Sequence, residues 1–192
     1  MMDNSGILAQ LNLYAKLAEL HNENAFKIRA YTAAAFNLKK IKEPFRVLSD
    51  ADLLDVPNVG KGVVESVREI ISTGRMQALE ELLAITPPGI VEILQIKGLG
   101  PKKVGVIWNT LQIESVADLL DACRQNRLVE VKGFGLKTQA EIVRNIEFSL
   151  TAQGKWHYAR LWEPATAFLE GIKKEFPEAQ VSFTGAFRRA AV

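Results

Sequence analysis

The chain has 192 residues, of which 24 are Lys or Arg and 22 are Asp or Glu, and its formal net charge is +2. This near balance excludes a general polycation, so any nucleic-acid site must be a local cluster of charge. The chain carries no signal peptide and no apolar run long enough to span a membrane, and we expect a cytoplasmic protein with no membrane partner. Its single cysteine, Cys123, excludes an internal disulfide and a cysteine metal cluster.

The predicted elements are nearly all helices, because apolar residues recur at helical spacing. In the first half we expect helices over about residues 7–20, from residues 23–25 onward, after Ser49, and over about 61–72 and 76–85. The second of these helices is expected to direct seven apolar side chains inward: Phe26, Ile28, Tyr31, Ala34, Ala35, Phe36 and Leu38. Asp50 and Asp52 have the spacing of a two-metal site, but Ser49 before them indicates a helix N-cap instead.

The second half contains the clearest break in the sequence, Thr86-Pro87-Pro88-Gly89, which predicts a domain boundary. Beyond it we expect helices to about residue 111 and over about 115–123, 135–150 and 158–176, followed by one strand at 179–184. The predicted domains are residues 1–86, 87–150 and 151–192. Because the strand and the helix before it lack partners, we expect the chain to stop inside an incomplete α/β domain.

A short turn pattern, (Gly or Asn)-apolar-Gly, occurs three times between predicted helices, at residues 58–60, 98–100 and 133–135. We call these the first, second and third hairpin. Each has an apolar residue two positions before it and a basic residue soon after it. The closing glycines, Gly60, Gly100 and Gly135, are 40 and 35 residues apart, so the pattern is an internal repeat.

The pattern suits the binding of a phosphate. Glycines leave the backbone bare, and the helix that follows directs its free N–H groups and its dipole toward an anion. One such turn is more commonly a tight corner between helices, but three copies with a cation on the same side indicate helix-hairpin-helix motifs that clamp the DNA backbone without reading bases. The predicted DNA-binding residues are Asn58, Val59, Gly60, Lys61, Gly62, Gly98, Leu99, Gly100, Lys102, Lys103, Gly133, Phe134, Gly135, Lys137 and Thr138.

The motifs together resemble the amino-terminal part of a bacterial family X DNA polymerase, the DNA polymerase beta-like group. Phe26-Lys27-Ile28-Arg29-Ala30-Tyr31 is similar to the family's Phe-Arg-x-x-Ala-Tyr helix, and Val56-Pro57-Asn58-Val59-Gly60 to its Leu-Pro-Gly-Val-Gly hairpin. The segments 98–103 and 131–138 resemble the later hairpins, and 184–189 resembles the Gly-Ser-x-Arg-Arg motif that opens the palm. The similarity covers nearly the whole chain in the right order.

The resemblance implies a mainly α fold: a helical lyase-type domain, a fingers subdomain with two hairpins, and the beginning of an α/β palm. It implies sequence-independent binding of gapped or nicked DNA, as the DNA-holding part of a base excision repair polymerase. The 5′-phosphate of a gap would be bound by Lys27, Arg29, Tyr31 and Lys61, and the incoming nucleotide in part by Gly185 and Arg188. Mg²⁺ is expected only if a full palm is present.

The resemblance also implies a monovalent cation, Na⁺ or K⁺, at each hairpin, held by inward-facing backbone carbonyls. The predicted donors are the carbonyls of Leu54, Val56 and Val59, of Leu94, Ile96 and Leu99, and of Val129, Val131 and Phe134.

Three features depart from the family pattern. The Schiff-base lysine of the lyase domain is replaced by Ser66, which cannot form an imine, and the triphosphate-binding serine of the palm motif is replaced by Ala186. The palm carboxylates would follow the last residue, Val192. From these departures we expect neither ordinary lyase activity nor primer extension from the chain as given.

Two other interpretations are compatible with the hairpins. One is a stand-alone helix-hairpin-helix DNA-binding module, such as that of a nuclease or a junction-binding protein, although Arg188 and Arg189 have no purpose in such a clamp. The other is a protein-interaction domain in which the hairpins only pack helices. Salt-dependent DNA binding would separate the last interpretation from the first two.

Overall fold

The computed structural model of the chain describes residues 3–152, 158–176, 178–179 and 181–182. The regular elements in these ranges are all helices, which confirms the mainly α prediction. The helices are α1 Asn4–Leu20, α2 Ala25–Leu38, α3 Asp50–Leu54, α4 Lys61–Thr73, α5 Gln77–Ala84, α6 Pro88–Ile93, α7 Pro101–Leu111, α8 Val116–Arg124, α9 Leu136–Ala152 and α10 Tyr158–Glu175. No helix in the described ranges is long and apolar enough to cross a membrane.

Several helices begin where the local sequence supplies a cap or a proline. Asp3 accepts a hydrogen bond from the Gly6 N–H at the start of α1, at 2.9 Å. Ser49 and Asp52 form a reciprocal capping box at α3, with Asp52 Oδ2 accepting the Ser49 N–H at 2.8 Å. The interpretation of this acidic pair as a helix start is confirmed, and Asp50 forms an ion pair with Arg68 at 2.7 Å.

The central element of the core is α1, which packs against α2, α4, α5 and α7. Its apolar face is almost entirely buried, and the residues of this face are Ile7, Leu11, Tyr14, Ala15, Leu17, Ala18 and Leu20. The chain divides into two compact units, residues 1–146 and 147–192. Residues 86–89 therefore lie inside the first unit. Within this segment Pro88 begins α6, and the Thr86 hydroxyl lies 2.7 Å from His21 Nε2 on the other side of the predicted boundary. The division into domains at residue 86 stays a prediction.

The burial predicted for α2 is wrong for two side chains. Phe26 and Phe36 were expected to point inward, but they are 79% and 67% exposed. The buried residues of α2 are Tyr31, Ala34, Ala35 and Leu38. At about 100° per residue both phenylalanines lie on the other side of the helix, so their apolar character alone misassigned them.

The end of the chain carries several predictions that the described residues do not reach. Of the strand expected at 179–184, only residues 179, 181 and 182 are described, and they have no strand conformation. The predicted nucleotide-binding residues Gly185 and Arg188, with Ala186 between them, lie outside the described residues.

Candidate nucleic-acid interface

The three hairpins have the same backbone conformation. The first residue of each has a positive φ: 65° at Asn58, 90° at Gly98 and 96° at Gly133. The same hydrogen bond closes each turn, from Val59 N–H to Val56 O at 3.0 Å, from Leu99 to Ile96 at 3.1 Å, and from Phe134 to Val131 at 3.0 Å. The middle apolar residue of each hairpin is buried and anchors it to the core. The repeat is therefore structural, and Asn58 adopts a left-handed conformation, which Asn tolerates better than most other residues with a side chain.

The closing glycines have a different role from the opening residues. Gly60 and Gly100 have φ of −97° and −89° and are the extended N-caps of α4 and α7, so neither uses the positive φ that glycine permits. A Cβ built on Gly60, Gly100 or Gly135 would meet no atom within 4 Å. Neither backbone strain nor packing inside the protein requires glycine at these three positions. What the absent side chain leaves is open space above a helix N-terminus that has no side-chain cap.

The lysines beside the hairpins are not equivalent. Lys61, Lys102 and Lys137 are exposed at the starts of α4, α7 and α9. Lys103 is half-buried, with Nζ 3.5 Å from Gly98 O and 6.0 Å from the centre of the Phe134 ring. This lysine therefore lies between the second and third hairpins.

Asn145 on α9 was missed by the sequence analysis. Its Nδ2 donates to the Lys97 carbonyl at 2.7 Å, directly before Gly98. This bond joins residues 48 positions apart, so no local pattern could have indicated it. It ties the helix after the third hairpin to the backbone of the second, which fixes the two hairpins side by side.

Of the four residues predicted for a 5′-phosphate, Lys27 and Tyr31 both lie against the Tyr14 ring, whereas Arg29 lies on another face of α2. Tyr31 is 7% exposed, and its hydroxyl lies 2.8 Å from Ser66 Oγ and 3.2 Å from Gly62 O. Lys27 Nζ lies 5.2 Å from the centre of the Tyr14 ring, and its hydrogen bond to that residue raises the pKa of Lys27.

Arg29 lies on another face of α2 from Lys27, about 160° away around the helix axis. It lines a shallow concavity together with Ala30, Ala33 and the first hairpin. The structure therefore places Arg29 beside the first hairpin, whereas the Tyr31 hydroxyl is in contact with the first turn of α4.

Ser66 takes part in a closed hydrogen-bond network. Its Oγ lies 2.8 Å from the Tyr31 hydroxyl and 3.0 Å from the Gly62 carbonyl oxygen, and the residue is buried. The Ser66 hydroxyl thus joins α2 to α4.

Several of the carbonyls predicted to hold a monovalent cation already accept hydrogen bonds. Val56, Ile96 and Val131 each accept one N–H within their own turn, which leaves a second lone pair for an ion. At the second hairpin, Leu94 O also accepts a hydrogen bond from Lys16 Nζ at 3.2 Å. An ammonium group therefore stands at one of the three carbonyls of that hairpin, and a metal cation beside it would be repelled.

Comparisons with known proteins agree with this geometry. Residues 2–76 match the family described as helix-hairpin-helix domain, and residues 90–147 match the SAM-like helix-hairpin-helix tandem. The chain is 31% identical over 144 residues to the DNA polymerase/3′-5′ exonuclease PolX of Bacillus subtilis (strain 168). The match covers 74% of this chain and 25% of the relative, so the chain spans about a quarter of that protein's length. With two helix-hairpin-helix regions and this similarity, the chain belongs to the family X DNA polymerases.

Proposed function

We propose that the chain binds gapped or nicked DNA through backbone phosphates, as the DNA-holding part of a family X repair polymerase. The observation that carries this proposal is the absence of any internal requirement for glycine at residues 60, 100 and 135. Glycine at three matching positions is explained if a phosphate approaches each helix N-terminus closely enough for a Cβ to obstruct it. Glycine is a favourable N-cap at residues 60 and 100, but Ser, Asp or Asn would cap these helices at least as well, so capping alone does not select glycine.

The charges beside the hairpins support the same ligand. Lys61, Lys102 and Lys137 are exposed next to the three N-termini. Contacts of this kind meet phosphates and carry no base information, so binding should depend strongly on salt and weakly on sequence. We place this activity in the cytoplasm as part of the proposal.

Recognition of a 5′-phosphate is proposed for the first hairpin. Arg29 and Lys61 supply exposed cations on α2 and α4, and Lys27 adds charge from another face of α2. Tyr31 would act through its bond to Gly62 by holding the start of α4, since its hydroxyl is already engaged inside the protein.

Monovalent cations are proposed at the first and third hairpins, held by the carbonyls of Leu54, Val56, Val59, Val129, Val131 and Phe134. Such an ion would offset the charge of a bound phosphate. At the second hairpin the Lys16 ammonium, hydrogen-bonded to Leu94 O, would supply this positive charge instead. Gly185 and Arg188 stay proposed nucleotide contacts, with Mg²⁺ only in a complete palm.

The test is the salt dependence of DNA binding. Affinity for a 5′-phosphorylated gapped duplex is measured by fluorescence anisotropy from 50 to 300 mM KCl, with two unrelated sequences. Four lysine contacts predict a slope of roughly −3 to −4 in log K against log salt, the same for both sequences. Replacing Lys102 and Lys103 by Ala should reduce the slope by about 1 to 2, the lower value applying if Lys103 stays against Gly98 and Phe134.

A matched control is the double replacement of Lys173 and Lys174 by Ala, an adjacent pair of lysines that are both exposed, at the end of α10. This control should keep the wild-type slope. An unchanged slope in the Lys102/Lys103 variant, or a strong preference between the two sequences, would instead favour hairpins that only pack helices.

A further inference from the structure

A cavity of about 530 Å³ opens at the first turn of α1, beside the segment that connects α2 to α3. We call it the α1 cavity. Its floor is apolar, since Ile7 and Phe45 are 2% and 0% exposed, and the half-buried side chains of Ile41 and Ile71 complete it. A concave site of several hundred Å³ with an apolar floor has the size and character of a binding pocket.

The backbone around the α1 cavity is fastened from two sides. Asn4 Nδ2 donates to the Glu43 carbonyl at 2.8 Å, and Asn4 Oδ1 accepts the Phe45 N–H at 2.8 Å. From α4, the Arg68 guanidinium donates to the carbonyls of Phe45 at 3.2 Å and Leu48 at 2.6 Å. The cavity is therefore formed before any partner arrives, which reduces the ordering cost of binding.

The rim of the α1 cavity is positively charged. Lys42 and Arg46 line it and are both exposed. Asp3 also lines it, but its carboxylate already accepts the Gly6 N–H and the Ser5 hydroxyl at the start of α1. Residues 39–46 contain four Lys or Arg and one Glu. The rim thus favours an anionic group, whereas the floor favours an apolar one.

The α1 cavity lies far from the hairpins along the two helices that form it. Ile71 follows Lys61 by ten residues, which is about 15 Å along α4 from the first hairpin. Lys16, whose ammonium reaches the second hairpin, follows Asp3 by thirteen residues, or about 20 Å along α1. A molecule bound in the α1 cavity would therefore leave these two hairpins accessible to DNA.

We propose that the α1 cavity binds an acidic peptide segment of a partner protein. One large apolar side chain of the peptide enters the cavity, and carboxylates on either side of it meet Lys42 and Arg46. Nucleic acid is less well matched, because the buried floor residues Ile7 and Phe45 offer a phosphate no donor. This proposal does not depend on the proposed DNA binding, since it uses other residues at the other ends of α1 and α4.

The test uses a fluorescein-labelled peptide with one phenylalanine flanked on each side by two aspartates, and measures its binding to the full chain by fluorescence anisotropy. One control peptide has serine in place of phenylalanine, and another has asparagines in place of the aspartates. Lys42→Glu tests the rim and Ile41→Ala the floor. The matched control is Lys39→Glu, the same charge reversal at an exposed lysine of the same segment that does not line the cavity.

We expect Lys42→Glu to weaken binding of the peptide by about 5-fold to 30-fold, because it replaces an attraction by a repulsion. Ile41→Ala should weaken it by about 3-fold to 10-fold, and Lys39→Glu by less than twofold. Both control peptides should bind more weakly than the probe. Amide chemical shifts should change at the first turn of α1, at residues 41–46 and at the end of α4. A saturating gapped duplex should leave the affinity for the peptide unchanged.

Several outcomes would overturn the proposal. Equal losses in Lys42→Glu and Lys39→Glu would indicate diffuse attraction by surface charge, and full binding of the serine peptide would show that the floor is not used. Displacement of the peptide by the gapped duplex would assign the cavity to nucleic acid. Failure of the wild type to bind the peptide would refute the proposal outright. A chain that binds the peptide but no DNA would leave only the proposed DNA function wrong.

Discussion

The closing glycine of the second hairpin offers a sharp test, because the structure separates its effect on folding from its effect on binding. Gly100 has φ of −89°, and a Cβ there would meet no atom within 4 Å. The replacement Gly100→Ala therefore introduces neither a strained backbone nor a clash. Losing a favourable N-cap residue costs up to about 1 kcal/mol, and the less flexible unfolded chain returns about 0.4–1 kcal/mol.

The net change in the free energy of unfolding should thus lie within about 1 kcal/mol. For a chain of this size that corresponds to a shift of the melting temperature of about 4 °C or less. Binding should respond much more strongly, since a methyl group would stand between the N–H groups of α7 and a phosphate oxygen. Losing charge-assisted hydrogen bonds worth about 1.5–3 kcal/mol would weaken DNA affinity by about 10-fold to 150-fold. Gly100→Val should weaken it further, and by more than the loss of one lysine.

The assay combines thermal unfolding with anisotropy on the 5′-phosphorylated gapped duplex. The control is Gly98→Ala, two residues earlier, where φ is 90° and a side chain is strained whatever the space. That variant should lower the melting temperature as well as the affinity. The reasoning would be refuted if Gly100→Ala binds DNA as tightly as the wild type, or if it unfolds the protein as Gly98→Ala does.

Three further outcomes can be measured. Arg29→Ala should reduce the preference for a 5′-phosphorylated over an unphosphorylated gap more than Lys27→Ala does, because Arg29 lies beside the first hairpin. Equal affinity of the wild type for the two gaps would contradict phosphate recognition at that hairpin. Borohydride should trap little adduct on an abasic 5′-end, because Ser66 has no amine and its hydroxyl is held within the fold, whereas an adduct that disappears in Lys61→Ala would reveal another nucleophile. Lys16→Met removes the ammonium group from Leu94 O, so a K⁺ ion could take its place. We therefore expect the ratio of DNA affinity in K⁺ to DNA affinity in tetramethylammonium, at equal ionic strength, to be larger for the variant than for the wild type. The same ratio in both proteins would argue against that role of Lys16.

The sequence alone predicted the hairpins and most helices, because the signals that specify them are local. A residue with positive φ must be Gly or a tolerant residue such as Asn58, and proline at the start of α7 or a serine before α3 marks a helix N-terminus within a few residues. The family resemblance rested on the same short motifs and is confirmed. Even here the sequence could not distinguish the opening glycine, which has a positive φ, from the closing glycine, which does not.

The tertiary structure decided which side chains of those helices face solvent and which meet across the chain. Apolar character predicted that Phe26 and Phe36 are buried, but the packing of α2 on α1 and α4 selected the face that carries Tyr31 instead. The bonds from Lys16 to Leu94 and from Asn145 to Lys97 join residues 78 and 48 positions apart, and no spacing rule connects such pairs. Local chemistry fixes the conformation of each turn, whereas the neighbours of a turn depend on how the helices pack, and packing is a property of the whole core.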